Sequence, residues 1–271
     1  MGYTRPRKTT KDYLVAAPLP NHGKTYTVIP HKDVIETTKT LLDKNGFRIT
    51  KELYRANMNA KVAQGVYHLA STKDEEMGMM FAWTNSYDKS TRFQCAVGAF
   101  VNVCSNGMLC GDMANYARKH TGKADHDIHT QISSQIKSAN KYYTKLIDDK
   151  NEMRKIFLPK KDQAELVGRL FLDEEIIDAS QVSCIKAEMK EPSYDYKADL
   201  NNAWTFYNHI THALKRSHPR TWMSDQVKFH EFMTAELLSQ AALKKQDTSW
   251  PVDFIADMEA QEYDTFEEFK I

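Results

Sequence analysis

Cysteine is scarce: the 271 residues hold 4, and no two form a Cys-x-x-Cys pair. That leaves no thiol framework for a zinc knuckle and gives no reason to expect disulfides. Long apolar runs are missing too. There is no window of 18 apolar residues, and the start, MGYTRPRKTTKDYL, holds no apolar run of signal-peptide length. It also lacks the Ser or Thr that a myristoylation signal wants. The expectation is a reduced, soluble, cytoplasmic chain with no membrane contact. Gly-x-x-x-x-Gly-Lys-Ser/Thr and Gly-x-Gly-x-x-Gly are absent, so P-loop hydrolysis is not supported and no cofactor is expected. Net charge is close to zero, at +1, so the whole molecule is not an obvious polyanion binder.

The charge that is present is unevenly placed. Residues 1–130 hold 18 Lys and Arg against 12 Asp and Glu, a balance of +6; residues 131–271 hold 19 against 24, a balance of −5. Asp253 to Ile271 contains seven acids and one Lys. A basic body with an acidic tail is one way to limit non-specific binding to polyanions, although a solvated acidic end explains the tail as well. A hydrophobic content of 41% is enough for one large core or two small domains.

The most informative stretch is TRFQCAVGAFVNVCSNGMLCGDMANYARKHTGK, Thr91 to Lys123. Phe93, Cys95, Val97, Ala99, Val101 and Val103 alternate with Gln94, Ala96, Gly98, Phe100 and Asn102, which predicts a strand with one apolar face. Asn106-Gly107 is a turn signal, because both residues tolerate positive φ. After Gly111 the pattern becomes helical and ends in a basic run, Arg118, Lys119, His120 and Lys123.

Residues 1–30 read as a basic extended arm ending in a short strand, Thr25 to Ile29. A helix follows from His31 to Lys44, with Val34, Ile35, Thr38, Leu41 and Leu42 as its stripe and Asn45-Gly46 as its stop. Phe47 to Tyr54, Asn59 to Ala70, Met77 to Tyr87 and Thr91 to Cys104 read as four strands, the last two joined through Ser86-Tyr87-Asp88-Lys89. Ile128, Ile132, Ile136, Ala139, Tyr143 and Ile147 predict a helix from Asp125 to about Lys155. Further helices are expected over Lys161 to Gly168, Leu200 to Lys215 and Thr221 to Lys245, while Asp173 to Lys190 is only weakly periodic. The expected fold is α+β. An antiparallel meander with helices packed on one face forms a core over 31–156, and a mostly helical region over 160–250 precedes the acidic tail, 251–271.

Three chemistries are open. The first is nucleic-acid binding. Arg48, Lys51, Arg55, Lys61 and Arg92 lie along the strands, interleaved with Tyr54, Tyr67, Trp83 and Phe100. Cations neutralise phosphates and aromatic faces stack on exposed bases. The second is a metal site for hydrolysis, for which His126, His129, His209 and His212 are spaced to share helix faces, although His-Glu-x-x-His is absent. The third is a nucleophile at Cys104 or Ser105 with His120 as base, although no Gly-x-Ser-x-Gly elbow occurs.

The run FVNVCSNGMLCGD followed by ARKHTGK resembles the central signature of a family of phage- and plasmid-borne proteins of unknown function. NNAWTFYNHITHALKRSH is similar to a second segment of that family. More faintly, the helix, the meander and Gly98-Ala99-Phe100-Val101-Asn102-Val103 resemble the core of the Rad-type single-strand annealing superfamily. The second resemblance implies a ring or helical homo-oligomer that binds single-stranded DNA in a basic groove, with Lys61, Arg92, Arg118 and Lys123 lining it. The expectation taken forward is an accessory protein, not an enzyme, that binds single-stranded DNA through Arg48, Lys51, Arg55, Lys61, Arg92, Phe100, Arg118, Lys119 and Lys123. The alternatives are a host-defence antagonist or interaction module that engages a host or phage protein, in part through the acidic tail, and a metal-dependent nuclease.

Overall fold

The structure, a computed structural model, describes residues 7–21, 28–110 and 124–239, with side chains in the last segment from Ile128 onward. Six strands run in simple order as an antiparallel meander: β1 (Arg7–Thr9), β2 (Ile49–Ala56), β3 (Val62–Leu69), β4 (Met77–Ser86), β5 (Gln94–Val101) and β6 (Gly107–Leu109). The helices are α1 (Lys11–Val15), α2 (His31–Lys44), α3 (Ala124–Lys137), α4 (Ala139–Met153), α5 (Lys160–Leu172), α6 (Ala179–Lys190), α7 (Ala203–Leu214) and α8 (Trp222–Met233). A π-helical turn, Thr234–Ser239, extends α8. The α+β class and the antiparallel meander agree with the sequence pattern.

Alternation along the strands decides which face meets which helices. Tyr54, Tyr67, Met79, Phe81, Trp83, Cys95, Val97 and Ala99 point into the main core with α2, α3, α4 and α7. That core runs from Leu14 to Met233, so the helical C-terminal region and the sheet share one interior. The opposite face is also covered in part. Trp222, Met223 and Val227 of α8 pack on Met80, Ala82, Ala96, Phe100 and Leu109. Cover on both faces explains why every residue of β4 is buried and why its sequence shows no polar alternation.

Several boundaries differ from the pattern for identifiable reasons. The arm before residue 30 contributes β1 and α1, the latter capped by the Thr10 hydroxyl accepting from the Tyr13 N–H. Val28 and Ile29 form no strand: the Ile29 carbonyl accepts from Asn85 Nδ2 at 2.9 Å instead of joining a ladder, and Thr25 to Thr27 lie outside the described residues. The helix expected from Asp125 to Lys155 is two helices with a break at Ser138. The weakly periodic segment is α6, started by a reciprocal capping box between Asp178 and Gln181. The turn after β5 falls earlier than Asn106-Gly107. Val101 accepts from the N–H groups of Cys104 and Ser105, Ser105 takes a φ of 57°, and Gly107 already opens β6. Val103, expected on the core face, lies in this turn and is exposed.

Candidate functional site

The strand aromatics are not a stacking platform. Trp83 Nε1 donates to the Tyr67 hydroxyl at 3.1 Å, Tyr54 meets Tyr67 edge-on, and all three rings are in the core. Phe100 does lie on the opposite face, but it is buried, stacked on His68 at 3.6 Å and pressed over Gly78. The expected base-stacking role of Phe100 therefore has no exposed ring to act through.

The strand cations divide between two ends of the sheet. Register aligns Arg55 with Gln64, Gln64 with Thr84, and Thr84 with Gln94. Arg55, Lys61 and Arg92 thus share one end. Lys61 also borders a cleft of about 670 Å³ with Tyr13, Leu19, Met58 and Tyr87. Arg48 pairs near Ala70 at the other end, seven residues and roughly 23 Å along the strand. Lys51 is exposed beside His68, whose pKa is lowered to about 4 by burial and by the Lys51 charge. Arg118, Lys119 and Lys123 lie outside the described residues, as do His120 and the acidic tail.

At the Arg55 end the chain supplies cations that strand periodicity does not reveal. The connection from α7 to α8 reads Lys215-Arg216-Ser217-His218-Pro219-Arg220. It lies across the sheet because Arg55 Nη2 donates to the Ser217 carbonyl and the Thr84 hydroxyl donates to the Pro219 carbonyl. Burial lowers the Arg55 guanidinium to about 10. His218 is lowered by burial and then by the nearby charges of Arg220 and Arg55, with Asp88 opposing. Lys8 of β1 is close enough to lower Lys215, after the larger effect of burial. Lys8 and Arg55, opposed in the β1–β2 register, and Arg220 therefore form one positive stripe, in which the charged form of His218 is disfavoured; Arg216, exposed on the same connection, acts on Cys184 and His212. The signal was visible as four basic residues in six positions, but the apolar stripe of α7 dominates that part of the sequence.

A polar cluster adjoins the stripe and joins the two signature segments. Asn106 is fully buried, and its Nδ2 donates to the Asn208 carbonyl at 3.0 Å and to Asn208 Oδ1 at 3.1 Å. Asn208 comes from α7 and is held by its own bond to the Trp204 carbonyl. Beside this pair, Glu188 of α6 accepts from the Ser193 N–H at 3.1 Å and from the Ser193 hydroxyl. Its carboxylate is 3.6 Å from His212 Nε2 and 4.0 Å from His209 Nδ1. Lys215 Nζ donates to the Cys104 carbonyl at 2.5 Å and lies 5.7 Å from the centre of the Tyr194 ring. Cys104 is buried, and burial pushes its thiol above the ordinary value.

The histidines do not converge as a metal centre. His209 and His212 meet Glu188, His129 is exposed on α3, and the His126 side chain lies outside the description. Among the described residues no three His, Cys, Asp or Glu side chains form a group that could hold a metal ion. No described helix is long and apolar enough to cross a membrane.

The family model described as "Domain of unknown function (DUF932)" matches residues 18–249. The chain belongs to this family. No curated protein and no solved structure matches it. Both signature segments, and the Asn106–Asn208 contact that joins them, fall inside the matched region.

Proposed function

We propose that this protein binds single-stranded DNA through its positive stripe, as an accessory protein of the phage or plasmid kind. The observation that carries the reading is the connection after α7. It places Arg220 near Arg55 and Lys8, with Arg216 exposed on the same connection, and the Arg55–Ser217 bond fixes it to the sheet. Cations gathered on one rim neutralise consecutive phosphates and release counterions, a mode that needs no exposed aromatic ring. Self-assembly and annealing of complementary strands belong to the same reading, as the resemblance to annealing proteins implies.

Fluorescence anisotropy with a labelled single strand, its duplex and its RNA counterpart tests this at low and moderate salt. The expected result is preference for the single strand, with an affinity that falls steeply with salt. Deleting residues 253–271 removes seven acids and one Lys and is expected to tighten binding. Absence of binding to all three probes at low salt refutes the reading.

A further inference from the structure

Three large apolar side chains stand exposed round the cleft beside Lys61: Tyr13, Leu19 and Met58 are 45%, 55% and 61% exposed. Pro18 and Pro20 continue the apolar wall, and Lys61 and Asp88 are the charged groups on its lining. The walls are fixed to one another. The Tyr13 hydroxyl donates to the Met58 carbonyl at 2.7 Å, the Tyr87 N–H donates to the Lys61 carbonyl at 2.6 Å, and the Tyr87 hydroxyl accepts from the His31 N–H at 2.7 Å. Leu14, fully buried, anchors α1 in the main core. The cleft is therefore preformed, and a gathered apolar surface of this kind marks a place where something docks. Lys8 leads into α1 and Arg55 leads into the turn that carries Met58, so the stripe runs up to the cleft.

The sequence beyond Ser239 holds a segment that matches both halves of this surface. Tyr263, Phe266 and Phe269 recur at every third position, with Asp264, Glu267 and Glu268 between them. Aromatic rings suit the apolar cleft, and interleaved carboxylates suit Lys61, Lys8 and Arg55. The reach is sufficient. Helix α8 and the π-helical turn hold 12 and 6 residues, so Ser239 lies roughly 27 Å along their axis from the stripe. Residues 240–262 span up to roughly 75 Å when extended.

We propose that the acidic, aromatic segment 263–269 docks in this cleft of its own chain, with its rings against Tyr13, Leu19 and Met58 and its carboxylates on Lys61 and the near end of the stripe. Docked there, the carboxylates stand where phosphates would, so DNA has to displace the segment before it engages Lys8 and Arg55. The effect on DNA rests on the binding reading above; the seat does not. Charge alone would give an acidic segment no preferred place along the stripe. The rings fix the place, which separates a docked segment from a diffuse counter-charge.

The test uses the full chain at low protein concentration. A water-soluble carbodiimide joins carboxylates to amines only where they touch, and peptide mapping reads the pairs. Links from Lys61 to Asp264, Glu267 or Glu268 within single chains are expected. Phe266→Ser with Phe269→Ser keeps every charge, and Leu19→Ser with Met58→Ser changes only exposed side chains of the cleft. Each pair is expected to lower the Lys61 links about tenfold. The Phe266→Ser, Phe269→Ser variant is also expected to bind the single strand several-fold more tightly at unchanged net charge. If Lys61 links are absent, or survive both pairs of substitutions, the seat is overturned. Links found only between chains assign the cleft to a second copy and overturn the contact within one chain. If deleting 253–271 tightens DNA binding and the Phe266→Ser, Phe269→Ser variant does not, the tail acts by charge alone, and the cleft proposal falls while the binding reading stands. If no form binds DNA, the binding reading falls and the Lys61 links still decide the seat.

Discussion

Asn106 and Asn208, 102 positions apart in the chain, are joined by the Asn106 amide donating to two oxygens of Asn208, at 3.0 and 3.1 Å. Both residues are fully buried. The contact pins the turn after β5 to the middle of α7 and thereby sets where Lys215 and the connection beyond it lie. Asn106→Ala would leave the Asn208 oxygens without this donor, at a cost of about 1–3 kcal/mol. For a chain of this size that is a fall in Tm of about 2–4 °C per kcal/mol. Asn106→Asp would aim a carboxylate at the same two oxygens and is expected to cost more than Ala. Thermal unfolding checks the order; an Asp variant as stable as the wild type would contradict the contact.

Gly78 exists to make room for Phe100. A Cβ at position 78 would stand 2.3 Å from the Phe100 ring. Gly78→Ala therefore displaces that ring from His68, at an expected cost of about 1–3 kcal/mol. Phe100→Ala alone leaves a cavity under α8, worth about 3–5 kcal/mol. The double variant is expected to be more stable than the sum of the two effects predicts, since the new methyl no longer meets a ring. Additive losses in urea unfolding would show that the two positions do not touch.

How much of this was legible in the sequence depended on how local the cause was. Strands β2 to β5 and helix α2 follow from period and stop signals within their own residues. The covered second face did not, because it depends on Trp222 and Met223 arriving from far along the chain. Phe100 was read as a stacking ring for that reason, whereas Trp83 lies in the main core beside Tyr67. The stripe was missed in the same way: Arg55 was noted as a strand cation, but its bond to Ser217 brings in a connection 162 positions away. Asn106-Gly107 was read as a turn, whereas burial against α7 makes Asn106 a tertiary contact.

Stability is expected to fall on mild acidification. Burial lowers His209 and His68 from 6.5 to about 4, with His212 and Lys51 respectively adding to the shift. Between those values the unfolded chain binds protons that the folded chain refuses. The stabilisation is whole above about pH 6.5 and is lost as pH falls toward 4, at up to about 1.4 kcal/mol per unit for each group. Urea midpoints at pH 7.5, 6 and 5 should therefore decline, and His209→Gln should flatten the decline. A slope unchanged by that substitution would show that His209 is already protonated in the fold.

Asp225 acts in the opposite direction. Burial raises its carboxyl from 3.8 to about 6, against hydrogen bonds from Ser217 and Thr221. The folded state holds this proton more tightly, so the contribution is whole below about pH 3.8 and lost as pH rises through 6. Asp225→Asn is expected to stabilise the protein at pH 7.5 and to make little difference near pH 4. A loss of stability at pH 7.5 would mean that the carboxylate charge is needed there.

The location of DNA binding can be decided from one end of the sheet against the other. Arg216→Glu and Arg220→Glu reverse charges on the connection that carries the stripe, while Arg48→Glu makes the same change at the far end of β2. Each phosphate contact to a single strand contributes about 0.7 to the slope of log K against log salt. The two stripe variants should each weaken binding at low salt and flatten that slope by about this amount or more. Arg48→Glu adds the same negative charge to the molecule, so it controls for net charge alone. If all three variants lose affinity equally and keep the wild-type slope, long-range repulsion accounts for the effect and the stripe is not the contact. If only the stripe variants lose slope, the phosphates lie along the connection between α7 and α8, next to Lys215.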